Sequence, residues 1–131
     1  ASLMAKAITD PRTVLARAMS EAQLQQAAIE AAKMHGYLVT HFRPGQSSSG
    51  KWTTPIQGDA GFFDLALARP GKPGRLLCVE LKSQKGRINE AQQRWFDALT
   101  YAPPVETYLW TPSQWLDGTI LKILRGIEET P

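Results

Sequence analysis

Three charged residues in the middle of the chain are spaced for metal chemistry. The run RLLCVELK (75–82) has the apolar pattern of a β-strand, yet Glu80 and Lys82 interrupt it two residues apart. Side chains alternate along a strand, so Glu80 and Lys82 share a face with Leu76 and Cys78, while Leu77, Val79 and Leu81 point the other way as core. An earlier strand pattern, FFDLALA (62–68), puts Phe63, Leu65 and Leu67 on one face and Asp64, Ala66 and Ala68 on the other. If the two strands pair, Asp64 and Glu80 meet. Ionised groups left without partners on such a face cost several kcal/mol. Two compensations are open. One is a structural ion pair of Glu80 or Asp64 with Lys82. The other is a divalent cation, because carboxylates and a backbone carbonyl are the hard oxygen ligands that Mg²⁺ takes, with water filling its shell. Such an ion activates water and stabilises charge on a phosphoryl group, and Lys82 would hold the water or neutralise the transition state.

Two helices can bring further groups. SEAQLQQAAIEAAKMHG (20–36) opens on a capping box of Ser20 and Gln23 and stops at Gly36. Its Glu21 shares a face with Leu24, Gln25 and Ala28. A glutamate in a first turn is also favoured by the helix dipole alone. NEAQQRWFDALTYA (89–102) opens on the pair Asn89 and Gln92, and Gln92 shares a face with Trp95, Phe96 and Leu99. It is either a polar group at the core edge or a site residue. Around these lie a helix led by Asp10 and Pro11, a strand at 37–43, a polar loop at 44–58, a turn-rich link RPGKPG, a strand at 105–110, and two short helices, TPSQWL and DGTILKILRG. The order ααβββαβαα defines a mixed α/β fold.

Composition excludes several classes. The chain has 131 residues, 43% of them hydrophobic and 21% charged, enough for one domain with a core. No apolar run approaches the ~18 residues of a membrane span, and the N-terminus lacks the apolar core of a secretory signal, so a cytoplasmic protein is expected. One cysteine, Cys78, excludes an internal disulfide and a cysteine-cluster zinc site. The net charge of +3 says little about partners, but Lys72, Arg75, Lys82, Lys85 and Arg87 crowd the middle of the chain. In KSQKGR, Lys85, Gly86 and Arg87 can grip phosphates or form ordinary solvated surface. His41, Arg43 and Lys51 flank the long loop beside Trp52, a mixture that can contact unpaired bases.

The spacing Asp64 … Glu80-x-Lys82 resembles the PD-(D/E)xK nuclease superfamily. The segments SEAQLQQAAIEAAKMHGYLVTHFRP, GDAGFFDLALARPG, LLCVELKSQKGRINEAQQRWFDAL and VETYLWTPSQW look, in order, like a VRR-NUC domain of the stand-alone bacterial or phage type, over about Ser20 to Leu124. Phe63 stands where that family usually has a proline before the aspartate. The resemblance implies a restriction-endonuclease-like core with a mixed central sheet flanked by helices. It implies an N-terminal helical extension (1–19) and a single nuclease domain (20–131). Its active-site positions map to Glu21, Asp64, Glu80, Lys82 and Gln92, with the carbonyl of Leu81 joining Asp64, Glu80 and Glu21 around Mg²⁺ or Mn²⁺. The expected activity is metal-dependent, structure-specific cleavage of DNA phosphodiesters, with a homodimer resolving four-way (Holliday) junctions in a bacterium or phage-infected host. Three alternatives remain: a DNA-binding module that does not cleave, a nuclease for flaps, nicks or ends, and an interaction protein whose charges form structural ion pairs.

Overall fold

The computed structural model describes residues 10–42, 45, 46, 52, 53 and 58–126. Their elements are α1 (Pro11–Ala18), α2 (Glu21–Met34), β1 (Leu38–His41), β2 (Gly45–Gln46), β3 (Trp52–Thr53), β4 (Leu65–Arg69), β5 (Arg75–Leu81), α3 (Glu90–Leu99), β6 (Val105–Trp110), α4 (Pro112–Leu116) and α5 (Thr119–Arg125). This is an α/β protein with a mixed four-stranded sheet in the order β1-β4-β5-β6, and a small antiparallel β2–β3 pair.

The expected helix starts are realised by side-chain caps. Asp10 Oδ1 accepts from the Arg12 N–H at 2.8 Å, with Pro11 at the first helical position. Ser20 Oγ accepts from the Gln23 N–H at 3.0 Å while Gln23 Oε1 accepts from the Ser20 N–H at 2.9 Å, and α2 gives way to Gly36 at φ 86°. Three elements are shorter than their sequence patterns suggest. The strand expected at 62–68 starts only at Leu65, because Gly61 turns the chain at φ 94° and the residues after it pack as an aromatic group. The strand expected at 37–43 is confined to Leu38–His41. The helix expected at 89–102 stops at Leu99, a few residues before Pro103 and Pro104, which cannot donate to a continuing ladder.

β1 and β4 are antiparallel, with His41 opposite Leu65, and β4 and β5 are antiparallel, with Leu65 opposite Val79 and Ala66 opposite Cys78. The Lys82 N–H, just past β5, donates to the Trp110 carbonyl at the end of β6 at 3.1 Å. Arg75, which opens β5, bonds Glu106 near the start of β6. Start meets start and end meets end, so these two strands run parallel. A parallel pair needs a long crossover, and α3 supplies it.

The chain gathers into two compact units. One comprises Ala1–Gly36, Leu81–Arg87 and Leu109–Pro131; the other comprises Tyr37–Glu80 and Ile88–Tyr108. In the first, α1 packs on α4, and α2 packs on α4 and α5. Leu24, Ala28, Ala31 and Ala32 of α2 are buried with Trp110, Ile120 and Leu124, and the alanines let the helix backbone approach its neighbours closely. In the second unit Phe63, Leu65, Leu67, Leu77 and Val79 form the core on one sheet face. Cys78 is also buried, as its strand position suggests, and burial pushes its thiol up from the ordinary value.

The start of β5 is held to β6 by charge. Arg75 Nε donates to Glu106 Oε2 at 2.8 Å and Arg75 Nη2 to Oε1 at 2.7 Å, while Nη1 donates to the Tyr37 hydroxyl at 2.7 Å. The Tyr108 hydroxyl donates to Glu106 Oε1 at 2.6 Å, and burial followed by that bond pushes its own pKa up to about 12. The bonds from Arg75 hold the Glu106 carboxyl below its ordinary 4.5. A group depressed on folding stabilises the fold fully above its unfolded pKa, and the contribution fades as pH falls through the lower folded value. Glu106→Gln is therefore expected to lower stability by about 1–2 kcal/mol near neutral pH. Urea titrations at several pH values should show the gap to wild type narrowing as pH drops below 4.5.

Candidate metal centre

Strand pairing brings the two central carboxylates together. Leu65 lies opposite Val79, so one further step of the same register sets Asp64 against Glu80. Asp64 precedes β4, but its backbone is fixed: its carbonyl accepts from the Phe42 N–H at 3.1 Å, which extends the β1–β4 ladder by one bond. Its side chain is half-buried. Glu80 is only 1% exposed, because β5 is covered on both faces from Leu77 onward. The one-sided burial suggested by the alternating pattern does not hold at this end of the strand.

A buried carboxylate needs donors, and α3 provides one. Gln92 Nε2 donates to Glu80 Oε1 at 2.9 Å. The same amide closes the helix cap: its Oε1 accepts from the Asn89 N–H at 3.0 Å, and the Gln92 N–H donates to Asn89 Oδ1 at 2.9 Å. The cap thus settles which end of the amide faces Glu80. One side chain both completes the helix cap and bonds Glu80. That coupling was not visible in the sequence.

Glu21 is the first residue of α2 and is exposed. Within the second unit, Asp64 and Glu80 each offer a carboxylate oxygen, and these lie within 4.8 Å of one another. Oxygen ligands at about 2.1 Å from Mg²⁺ are separated by roughly 3–4.2 Å, so small side-chain rotations would bring this pair around one ion. Both are hard anionic donors, and the pair fits a divalent cation.

Lys82 follows β5 and is partly exposed, its N–H anchored on Trp110. A turn closed by the Gly86 N–H on the Ser83 carbonyl at 3.0 Å folds back over it. A Cβ at Gly86 would come within 3.2 Å of Lys82 Cβ and Cδ, so the glycine makes room for the lysine stem. Leu81 is fully buried, and Lys85 and Arg87 are exposed. His41 lies on β1 opposite Leu65, with its Nδ1 buried and without a hydrogen-bond partner among the described residues. Arg43 and Lys51, also expected to contact nucleic acid, lie outside the described residues.

The approach to Asp64 is built from aromatic residues and a glycine to which the sequence reading gave no role at the site. The Trp95 indole N–H donates to the Ala60 carbonyl at 3.1 Å. The Phe62 ring meets Phe42, Phe63 and Trp95 edge-on, and Phe63 meets Phe96 at a centroid distance of 4.7 Å. Gly61 lies against the first turn of α3, where an added Cβ would stand 2.5 Å from the Ala91 carbonyl carbon and 2.7 Å from the Gln92 nitrogen. The signal was present in GDAGFFD, a glycine placed immediately before two aromatics, but its partner is thirty residues away in sequence.

No protein-family model, curated protein or solved structure matches the chain.

Gly61→Ala combines a left-handed backbone with a clash against fixed main chain. It is expected to destabilise the protein by about 2 kcal/mol or more, measured by thermal unfolding, and to loosen the segment that carries Asp64.

Proposed function

We propose that the chain is a Mg²⁺- or Mn²⁺-dependent DNA endonuclease of the VRR-NUC type, with a restriction-endonuclease-like core, acting on branched DNA as a homodimer. The observation that carries this reading is the approach of Asp64 to Glu80 within 4.8 Å at the paired strands β4 and β5, with Lys82 following two residues after Glu80 in the E-x-K order that the family resemblance singles out. A divalent cation would offset the repulsion of two close carboxylates, and a phosphodiester is a substrate whose cleavage uses one. When bound, the metal would polarise the phosphoryl oxygen and supply a nucleophilic water.

The chain's own residues then have separate roles. Asp64 and Glu80 would hold the cation, with the Leu81 carbonyl and Glu21 as the further ligands that the family resemblance implies. Gln92 fixes the rotamer of Glu80 through a donor that the helix cap has already oriented. The Lys82 ammonium stabilises charge on the phosphate or holds the attacking water, while Lys85, Gly86 and Arg87 lie on the DNA side. In a homodimer each protomer would cut one strand.

Cleavage of labelled four-way junction, flap and linear duplex DNA with Mn²⁺ tests the proposal. Symmetric cuts confined to the junction are expected, slowed about 100-fold or more in Lys82→Ala and Glu80→Gln. Light scattering should show a dimer at micromolar concentration. Junction binding without cuts, in wild type and variants alike, would instead mean a binding module on a nuclease scaffold.

A further inference from the structure

A second feature of the chain concerns phosphate rather than metal. Arg12, Thr13, Ala16 and Arg17 of α1, together with Gln84, Lys85 and Ser113, line a cleft of about 300 Å³. Its lining holds three cations and no carboxylate. The four α1 residues lie on one face of that helix, at the spacing of adjacent turns. Buried Ala16 forms the floor while the two arginines flank it, both exposed.

The cations are not consumed by structure. None of Arg12, Arg17 and Lys85 forms an ion pair with a described residue. The carboxylates nearest in effect are Asp10, engaged in capping α1, and Asp117, which Thr119 holds below its ordinary range with smaller help from the charges of Arg12 and Lys122. Arg12 is also badly placed for its own helix, since a cation in the first turn opposes the dipole. Gln84 Oε1 accepts from the Ser113 N–H at 3.1 Å, which leaves its NH₂ group to donate. Guanidinium groups in pairs with amide and hydroxyl donors match the oxygens of a phosphodiester.

We infer that this cleft seats a backbone phosphate of DNA, making α1 a second DNA-contacting element through Arg12 and Arg17. The inference rests on the nuclease reading for its choice of partner. Its chemistry, an anionic phosphate among arginines, is independent of the metal centre. A phosphate contact of this kind adds affinity and register without reading sequence. It gives a role to an eight-residue helix that is too short to be stable alone.

The test measures binding without cleavage. Fluorescence anisotropy of a labelled four-way junction in EDTA, over a series of salt concentrations, compares wild type with Arg12→Gln/Arg17→Gln and Arg12→Lys/Arg17→Lys. Lys33→Ala removes a cation elsewhere and serves as control. The glutamine pair is expected to bind about tenfold more weakly, and the slope of log affinity against log salt should fall by about one for each phosphate no longer neutralised. The lysine pair should keep the slope, and Lys33→Ala should match wild type. Unfolding curves confirm that the variants are folded; if the glutamine pair is not, Arg17→Gln alone is read in the same way.

Unchanged affinity and slope in the glutamine variant would overturn the inference whether or not wild type cleaves. If inorganic phosphate binds in an Arg12- and Arg17-dependent way while DNA affinity is unaffected, the occupant is a free anion and the inference also fails. Weakened binding by a protein whose wild type never cuts would uphold the cleft and sink the nuclease reading instead.

Discussion

The constraint on which the site depends is the burial of one carboxylate. Glu80 retains 1% of its exposure on a strand that is covered on both faces. Such a group persists only if its surroundings supply hydrogen bonds with good geometry. Gln92 supplies one, and it can do so because its amide oxygen is already committed to the helix cap. The cap in turn must stand close to the chain leading to Asp64. Only a glycine at 61 permits that approach, since a side chain there would meet the backbone of Ala91 and Gln92. Cap, glycine and carboxylate therefore form one mechanical unit, and a fault in any of them displaces the others.

The two ends of β5 use carboxylates in opposite ways. Near its start, Glu106 on the neighbouring strand receives a two-point bond from Arg75 and a third bond from Tyr108. Charge there is neutralised locally, and the result is a strand register held in place. Near its end, Glu80 receives a bond from a neutral amide and lies within 4.8 Å of Asp64. Like charges drawn together raise the free energy of the empty group and so raise its affinity for a cation. The first arrangement explains itself as structure. The second is the arrangement on which the proposed cation site rests.

How much of this could be read beforehand depended on the range of the interaction. Alternation along RLLCVELK and FFDLALA was enough to oppose Asp64 and Glu80, because antiparallel register is set by which residues face inward. Capping boxes at Ser20 and Asn89 were legible for the same reason: donor and acceptor are three residues apart. The strand at 62–68 was extended too far because Phe62 and Phe63 look like strand residues. Their rings instead pack among Phe42, Trp95 and Phe96, partners that no local pattern reveals. The double bonding of Gln92 and the basic cleft beside α1 were hidden similarly. Each joins residues far apart in the chain, and each depends on how helices stack rather than on any period.

Phe63 shows how packing alone can restrain the backbone beside a candidate ligand. A proline before the aspartate would restrain the backbone by fixing φ and removing conformers from the unfolded chain. Phe63 has no such local restraint. It is held instead from outside, at 1% exposure, edge-on to Phe62 and Phe96. Burial of an aromatic ring is worth several kcal/mol, more than the entropy that a single proline removes. The next residue is then pinned through its carbonyl to the Phe42 N–H. Restraint by packing differs from restraint by a ring in one respect: it exists only in the folded protein and fails together with the core. The position of Asp64 is thereby tied to the integrity of the aromatic cluster, and substitutions at Phe62, Phe63 or Phe96 reach the carboxylates without touching them.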